Sequence, residues 1–185
     1  MGKRIVFILI LMVSFVSCKK KTSNIVIAEM YYNVLNNSDY SKVPLLFPDS
    51  ITTKEGDYKK VFSQSDYIEF LKWDSVFKPK YKFLEINEKV DAVFVKVSQK
   101  DKRIIFLNEE PIITNQVFRF KEGKISSIEI IDYIVFNDTA FIRNRTKLLN
   151  WVKENHPELN GFLYNQTENG GLKFLKAIEL YQEAN

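Results

Sequence analysis

Asp132 is an ionisable residue that directly follows the β-branched run at residues 125–131. A carboxylate held against an apolar wall has a raised pKa and can then move protons near neutral pH. Glu85, Glu110 and Arg119 are further ionisable residues on, or at the ends of, predicted strands. A polar or structural role at the end of its strand is the interpretation that the sequence favours for Asp132.

Metal and cofactor chemistry has little support in the sequence. His156 is the only histidine and Cys18 the only cysteine, so the chain cannot supply a standard zinc-binding set. No phosphate-binding glycine loop, nucleophile elbow or His-Glu-x-x-His motif occurs. The sequence predicts neither a metal nor a cofactor.

Large aromatic side chains are abundant, with 15 Phe and 9 Tyr. So many rings indicate either a substantial core or a lined cavity. The candidate pocket-lining residues are Tyr31, Tyr67, Trp73, Glu85, Phe94 and Phe118. Plain core packing is the alternative for the aromatic members of this set.

The first residues predict export. Lys3 and Arg4 precede an apolar run at residues 5–13, which is shorter than the ~20 residues that a membrane-spanning helix needs. Residues 15–18, Phe-Val-Ser-Cys, resemble a bacterial lipobox in which Phe15 replaces the usual Leu. We therefore expect a signal peptide at 1–17, a lipidated Cys18, a tether at 18–23 and a place in the bacterial cell envelope. An ordinary signal peptide or an uncleaved anchor is the alternative.

The charge balance argues against nucleic acid as a partner. The chain has 27 basic and 23 acidic residues, which gives +4. Loss of Lys3 and Arg4 with the signal would leave 25 − 23 = +2. Basic residues are interspersed with acidic ones rather than clustered on one stretch.

Hydrophobic periodicity predicts an α+β domain, in which helices pack on one face of a strongly curved antiparallel sheet. Expected helices cover residues 25–35, 39–47 and 65–77. Expected strands cover two short segments within 50–62, then 80–87, 91–98, 103–108 and a long hairpin at 112–136. In the hairpin, Gly123 is expected to occupy a three- to five-residue loop.

This hairpin resembles the last hairpin of the NTF2-like superfamily, which includes nuclear transport factor 2, SnoaL-type cyclases and ketosteroid isomerase. The similarity rests on Phe118, Phe120, the Glu-Gly-Lys-Ile turn at 122–125, and Asp132. It implies a cone-shaped domain over residues 24–136 with an internal pocket, and it matches Asp132 to the carboxylate that such enzymes place there.

The resemblance leaves two functions open. The Tyr-plus-Asp constellation of ketosteroid isomerase and the Asp/Arg/Asp set of the epoxide-hydrolase branch are not found at matching positions. This favours a non-catalytic module of the envelope that binds a small apolar ligand or another envelope protein. The alternative is a small pocket enzyme of the ketosteroid-isomerase or SnoaL-like type that uses Asp132 as general base. A homodimer through the sheet is a further expectation.

Residues 137–185 extend beyond the usual end of this domain. They predict a helix from Asp138 to about residue 155, an apolar connector at 159–164, and a last helix after a loop at 169–171. Two amphipathic helices of this kind are expected to pack on the cone. The alternative is a detachable arm that docks on a partner.

Overall fold

The computed structural model describes residues 22–90 and 92–185, and Cys18 with the expected signal peptide lies outside them. One six-stranded sheet has the order β2-β1-β6-β5-β4-β3. Strand β1 runs parallel to β6, and every other neighbouring pair is antiparallel. The strands are β1 (Ser50–Glu55), β2 (Tyr58–Ser63), β3 (Lys80–Lys89), β4 (Ala92–Lys100), β5 (Ile112–Lys121) and β6 (Lys124–Val135).

Helices precede, interrupt and follow the sheet. They are α1 (Asn24–Asn37), α2 (Val43–Leu46), α3 (Gln64–Ser75), α4 (Lys102–Asn108), α5 (Asp138–Asn155) and α6 (Glu168–Ala184). Ser63, Asp101, Asn137 and Thr167 cap four of them, each with a side-chain oxygen that accepts a backbone N–H of the first turn. Pro44 lies in the first turn of α2, where a proline needs no backbone N–H.

Irregular register curves the sheet. The β3–β4 pair shifts between Phe83 and Glu85, and the β5–β6 pair shifts at three places. Such bulges bend strands and increase their twist. The sheet is curled but not closed, and α1 packs across its concave face.

Aromatic rings fill much of that concave face. Tyr32 of α1 contacts Phe83 with ring centroids 4.9 Å apart, and Tyr31 contacts Phe118 edge to face at 5.7 Å. Ile51, Val93 and Ile125 complete the floor of this core and are buried. The α+β cone predicted from the sequence is therefore confirmed.

A second apolar cluster lies among the helices. It joins Trp73 and Phe77, near the C-terminal end of α3, to Val152 of α5 and to Phe174 and Ile178 of α6. At Gly171 a Cβ atom would lie only 2.9 Å from the carbonyl oxygen of Trp73, so glycine permits this close approach of α6 to α3. The predicted loop at 169–171 is thus wrong, because Thr167 caps α6 and both glycines lie inside it.

Two other local predictions are corrected. Residues 103–108 were expected to form a strand, but they form α4, because the Asp101 side chain accepts the backbone N–H of Ile104 at 2.6 Å. Burial of Ile104, Leu107 and Asn108 follows the helical period. The hairpin loop has two residues rather than three to five, since Glu122 and Gly123 both adopt positive φ between the paired Lys121 and Lys124.

Candidate functional site

A cavity of about 430 Å³ opens between the concave face of the sheet and helices α1, α3, α4 and α5, and a compartment of about 270 Å³ adjoins it. The sheet and the helices each contribute residues that line both the cavity and the adjoining compartment. Among those shared are Tyr31, Leu35, Phe70, Tyr81, Gln116 and Ile130. The curvature of the sheet therefore leaves a space that the aromatic core does not fill.

Helical spacing places the residues of the outer wall. Tyr31 and Leu35 lie one turn apart on α1. On α3, Trp73 and Asp74 both lie about one turn after Phe70. Across the cavity, Gln116 and Ile130 are register partners on β5 and β6. The site is thus built on regular elements rather than on loops.

One side of the cavity carries a buried polar cluster around Asp74. Its Oδ2 accepts a hydrogen bond from the Tyr81 hydroxyl at 3.1 Å, and its Oδ1 accepts one from Nη2 of Arg103 at 3.1 Å. The same Nη2 lies 3.2 Å from Oδ2 of Asp101, and the guanidinium stacks 4.7 Å from the Trp73 ring. Arg103 therefore bridges two carboxylates against an aromatic wall.

The two carboxylates differ in what they can do. The Asp101 side chain is completely buried and its other oxygen caps α4, so it is structural. Asp74 retains about 10% of its side-chain exposure and lines the cavity. Burial raises the pKa of the Asp74 carboxyl, although the positive charge of Arg103 opposes the shift. Asp74 is thus the carboxylate in this cluster with the environment of an acid or base.

Arg103 remains the cation of the cluster. Burial lowers the pKa of its guanidinium, but the nearby carboxylates of Asp101 and Asp74 outweigh this and raise it. One guanidinium charge cannot neutralise two ionised carboxylates, and the charge of Asp101 accordingly adds to the upward shift of the Asp74 pKa.

Buried hydroxyl groups continue along the wall. The Tyr31 and Tyr67 hydroxyls are 2.7 Å apart, and the Tyr32 hydroxyl donates to Oε1 of Gln116 at 2.8 Å. Nε2 of Gln116 in turn donates to Oγ1 of Thr114 at 2.9 Å. Burial raises the pKa of all three tyrosines, so they stay neutral and act as hydrogen-bonding groups.

Contacts at the edge of the cavity tie distant segments together. The Tyr133 hydroxyl donates to Oε1 of Glu55 at 2.5 Å, and Nζ of Lys60 donates to Oε1 of Gln166 at 3.3 Å. The second contact joins the β1–β2 hairpin to the segment before α6. Arg145 of α5 also lines the cavity, and it makes no ion pair with any residue in the described part of the chain.

The candidate residues from the sequence divide into two groups. Tyr31, Tyr67 and Trp73 line the cavity or its adjoining compartment, and Phe118 is buried in the core beside Tyr31. Glu85, Phe94 and Asp132 lie instead on the outer face, around a shallow depression of about 200 Å³. The expectation that Glu85 and Phe94 line the cone pocket is therefore wrong.

A bulge explains where Asp132 lies. Ile130 faces the cavity and pairs with Gln116, whereas Asp132 pairs with Asn115, so Ile131 is an extra residue on β6. Regular alternation would have pointed Asp132 inward, and the extra residue reverses this. Tyr133 takes the inward direction instead. The apolar wall that a general base needs is thus absent around Asp132, which is exposed.

Sequence reasoning missed Asp74, Tyr81 and Arg103. Arg103 was assigned to a strand, so nothing connected it with Asp74 on α3. A usable signal existed, because Asp101 precedes a run of helical period and is a good cap. Among the described residues, no group of three or more His, Cys, Asp and Glu side chains could hold a metal ion.

Comparison with known proteins identifies the fold. No protein-family model matches the sequence, and no curated protein matches it. An NTF2-like protein of unknown function from Cytophaga hutchinsonii superposes with a TM-score of 0.50 at 12% identity, covering 62% of this chain and 93% of that one. An LEH-like epoxide hydrolase from M. tuberculosis gives 0.51 at 15% identity, covering 68% and 94%.

A third structure, an uncharacterised cystatin-fold protein from Novosphingobium aromaticivorans, gives a TM-score of 0.50 at 14% identity and covers 60% of this chain and 99% of that one. The three matches leave between about a third and two fifths of this chain unmatched. Identities this low establish the architecture alone. The chain has the NTF2-like cone fold.

Proposed function

We propose that this protein binds a small, largely apolar ligand inside its cone while a lipidated Cys18 holds it in the bacterial envelope. The observation that carries the binding proposal is the aromatic-lined cavity of about 430 Å³. This volume falls within the ~300–1,000 Å³ of small-molecule sites, which are mostly apolar with a few placed polar groups.

The polar side chains that line the cavity indicate what kind of ligand it would bind. Arg145 has no anionic partner among the described residues, and Gln99 presents an amide to both compartments. A ligand oxygen that accepts hydrogen bonds, such as a carbonyl oxygen, would satisfy these donors. We therefore expect an apolar body with one oxygen acceptor.

A matched pair of probes tests this expectation. We would titrate the purified protein by calorimetry with cyclohexyl phenyl ketone and with cyclohexylbenzene, which lacks the carbonyl group. The ketone should bind about tenfold or more tightly, since a hydrogen bond to a charged donor contributes roughly 1.5–3 kcal/mol. Arg145→Met keeps the apolar stem and should remove this preference. Arg143→Met, on the same helix but outside the cavity lining, should keep it.

Failure of both probes to bind would contradict the binding proposal. Equal binding of both probes to the parent protein would contradict the expected oxygen acceptor and the role of Arg145, but not the binding of apolar ligands. Thermal unfolding of both variants would show that each remains folded.

Lipid anchoring rests on the sequence at residues 15–18. No helix of the described residues is long and apolar enough to cross a membrane. Mass spectrometry of the membrane fraction should find an N-terminal peptide that begins with a diacyl- or triacylglyceryl Cys18. A free Cys18 thiol in a soluble product would contradict the proposal.

We also propose that the protein forms a homodimer through the outer face of the sheet. Ile131 is 55% exposed and Phe94 is 38% exposed on the outer face, and side chains of this kind suit a homodimer contact. Light scattering should find a dimer that Ile131→Asp converts to a monomer. A monomeric parent protein at high concentration would rule the dimer out.

An enzyme is the second candidate, and the environment of Asp74 favours it. The carboxyl group is buried, has a raised pKa, accepts a hydrogen bond from Tyr81 and lines the cavity. Arg103 between Asp74 and Asp101 forms an Asp/Arg/Asp set in space, although Asp101 is occupied as a helix cap. The reaction class that this geometry suits is proton abstraction next to a carbonyl group, with Asp74 as base.

Deuterium exchange tests this chemistry without a known substrate. NMR would follow loss of α-hydrogens from a panel of cyclic ketones in deuterated water. Asp74→Asn should abolish exchange above background, whereas Asp132→Asn should leave it unchanged. If Asp132→Asn alone abolishes exchange, the base is at the sheet exterior. If the parent protein catalyses no exchange, the enzymatic proposal fails and ligand binding remains.

A further inference from the structure

A second concave site lies outside the cone. This groove of about 430 Å³ runs between α4 and α6, beside the ends of β3 and β4. Ile105, Phe106 and Leu175 supply its accessible apolar surface, and the buried Phe77 and Ile178 lie beneath them. Ile105 is 45% exposed there, so the groove offers apolar surface to solvent.

Four lysines surround this apolar surface. Lys78 and Lys80 approach it at the start of β3, and Lys100 and Lys102 approach it at the end of β4. Lys80 and Lys100 are direct register partners. Like charges directly opposite one another on neighbouring strands destabilise a sheet, so their convergence requires compensation.

Little negative charge within the described residues compensates for them. Glu179 lies 2.9 Å from Lys102, and Asp101 is committed to Arg103 and to the cap of α4. Lys80 donates to the neutral backbone oxygen of Asn36 at 3.1 Å and makes no ion pair with a residue that the structure describes. Lys78 and Lys100 make no ion pair in the described part of the chain.

A second pair of lysines shows that two lysines opposite one another on neighbouring strands do not by themselves create an anion-binding groove. Lys54 and Lys59 are also register partners, but Lys54 pairs with Glu129 at 3.5 Å. Lys59 lines none of the cavities described above. What distinguishes the groove is the combination of uncompensated lysines with an apolar floor.

We propose that this groove binds an anionic amphiphile. Lys78 and Lys100 would hold a phosphate or carboxylate head group, and the apolar part would lie on Ile105, Phe106 and Leu175. Ammonium groups act as strongly hydrated point charges and suit such head groups. The site is concave, so it fits one amphiphile molecule rather than the plane of a bilayer.

Three small molecules test separately the recognition of the head group by the lysines and of the tail by the apolar floor. Isothermal titration of the purified protein would compare hexyl phosphate, which has head and tail, with hexanol and with inorganic phosphate. Hexyl phosphate should bind at least tenfold more tightly than either fragment. Its affinity should fall as the salt concentration rises from about 50 mM to about 500 mM, because salt screens exposed charges.

Single lysine variants locate the site. Lys78 has φ of 58°, a backbone conformation that Asn tolerates well, so Lys78→Asn removes the charge without new strain. Lys78→Asn and Lys100→Gln should each weaken hexyl phosphate binding about fivefold, as expected for losing one near-surface charge contact. The matched control Lys59→Gln should not change it. A variant with the cone filled, Ile130→Trp, should also bind normally, which separates this groove from the cone site.

Several results would overturn the proposal. Equal binding of hexanol and hexyl phosphate would remove the role of the lysines, and equal binding of inorganic phosphate would remove the role of the apolar floor. Binding to anionic phosphatidylglycerol vesicles without binding of monomeric hexyl phosphate would assign the lysines to a membrane surface instead. Lysine variants that bind as well as the parent protein would place the ligand elsewhere.

Discussion

The Tyr81 hydroxyl donates a hydrogen bond of 3.1 Å to Oδ2 of Asp74 and thereby links β3 of the sheet to α3 of the helical layer. Both residues line the cone cavity. Arg103 holds the other oxygen of Asp74, so the carboxyl group is fixed in one orientation before any ligand enters. Pre-organisation of this kind is what a binding or catalytic site requires.

Asp74 makes stability depend on pH. Burial raises its pKa in the folded state above the ordinary value, so the native protein retains a proton that the unfolded chain has lost. The free energy of unfolding should therefore decline as pH rises from the ordinary pKa to the raised one, by up to about 1.4 kcal/mol per pH unit. Above the raised pKa this contribution should be constant.

Urea unfolding from about pH 4 to about pH 8 measures this effect. Asp74→Asn cannot ionise, so its stability relative to the parent protein should increase with pH across the same interval. Asp57→Asn, in the exposed β1–β2 turn, serves as a control of equal charge change. A constant difference between Asp74→Asn and the parent protein over the whole range would show that Asp74 does not titrate as described.

Gly171→Ala should destabilise the protein, which is the reverse of the usual effect of replacing glycine with alanine in a helix. Alanine in place of glycine normally stabilises a helix interior by about 1 kcal/mol. Here the added Cβ would meet the Trp73 carbonyl oxygen at 2.9 Å, so α6 must move away from α3. We expect Gly171→Ala to lower the free energy of unfolding by about 1–3 kcal/mol.

The neighbouring residue provides a control for this prediction. Leu172 is 53% exposed in the same helical turn, so Leu172→Ala should change stability by only about 0.5 kcal/mol. Denaturant unfolding compares the two variants. A stabilised Gly171→Ala protein would mean that α6 does not pack against α3 as closely as described.

Removal of residues 137–185 should expose the second apolar cluster. Trp73 and Phe77 would lose Phe174 and Ile178 as neighbours, and each buried side chain of this size contributes roughly 1.5–3 kcal/mol. A chain that ends at Phe136 should therefore aggregate or lose several kcal/mol of stability. Phe174→Ala tests the same contact by removing a single ring, and it should lower the free energy of unfolding by about 3–5 kcal/mol.

The detachable-arm alternative predicts a different result. If the shortened chain stays soluble, monomeric and as heat-stable as the parent protein, the extension is not part of the core. Size-exclusion chromatography and thermal unfolding decide between the two. Docking of the extension on a partner protein would then gain support.

The architecture was predictable because it depends on periodicity. Phe118 and Phe120 alternate with Val117 and Arg119, and this period, with the turn at Gly123, predicts the antiparallel β5–β6 hairpin. The parallel pairing of β1 with β6 has no such local signal. The helical faces of α1 and α3 are equally clear in the sequence. These patterns reflect burial on one face, which any packed layer imposes.

The candidate site was harder to predict because single residues decide it. One extra residue, Ile131, turns Asp132 to the outside, and alternation alone cannot reveal a bulge. The apolar run at residues 104–107 suits a strand as well as a helix, and only the cap by Asp101 decides between them. Asp74 and Arg103 meet through a side-chain contact between residues 29 positions apart in the sequence, and no local pattern encodes that contact.

Fluorescence titration with N-phenyl-1-naphthylamine shows whether the cone binds a ligand. Ile130 and Ile131 are adjacent in sequence but lie on opposite faces of the sheet, one lining the cavity and the other outside it. Ile130→Trp should fill the cavity and abolish binding of this uncharged probe, whereas Ile131→Trp should bind it like the parent protein. Equal binding by the two variants, both folded by thermal unfolding, would contradict a ligand site in the cone.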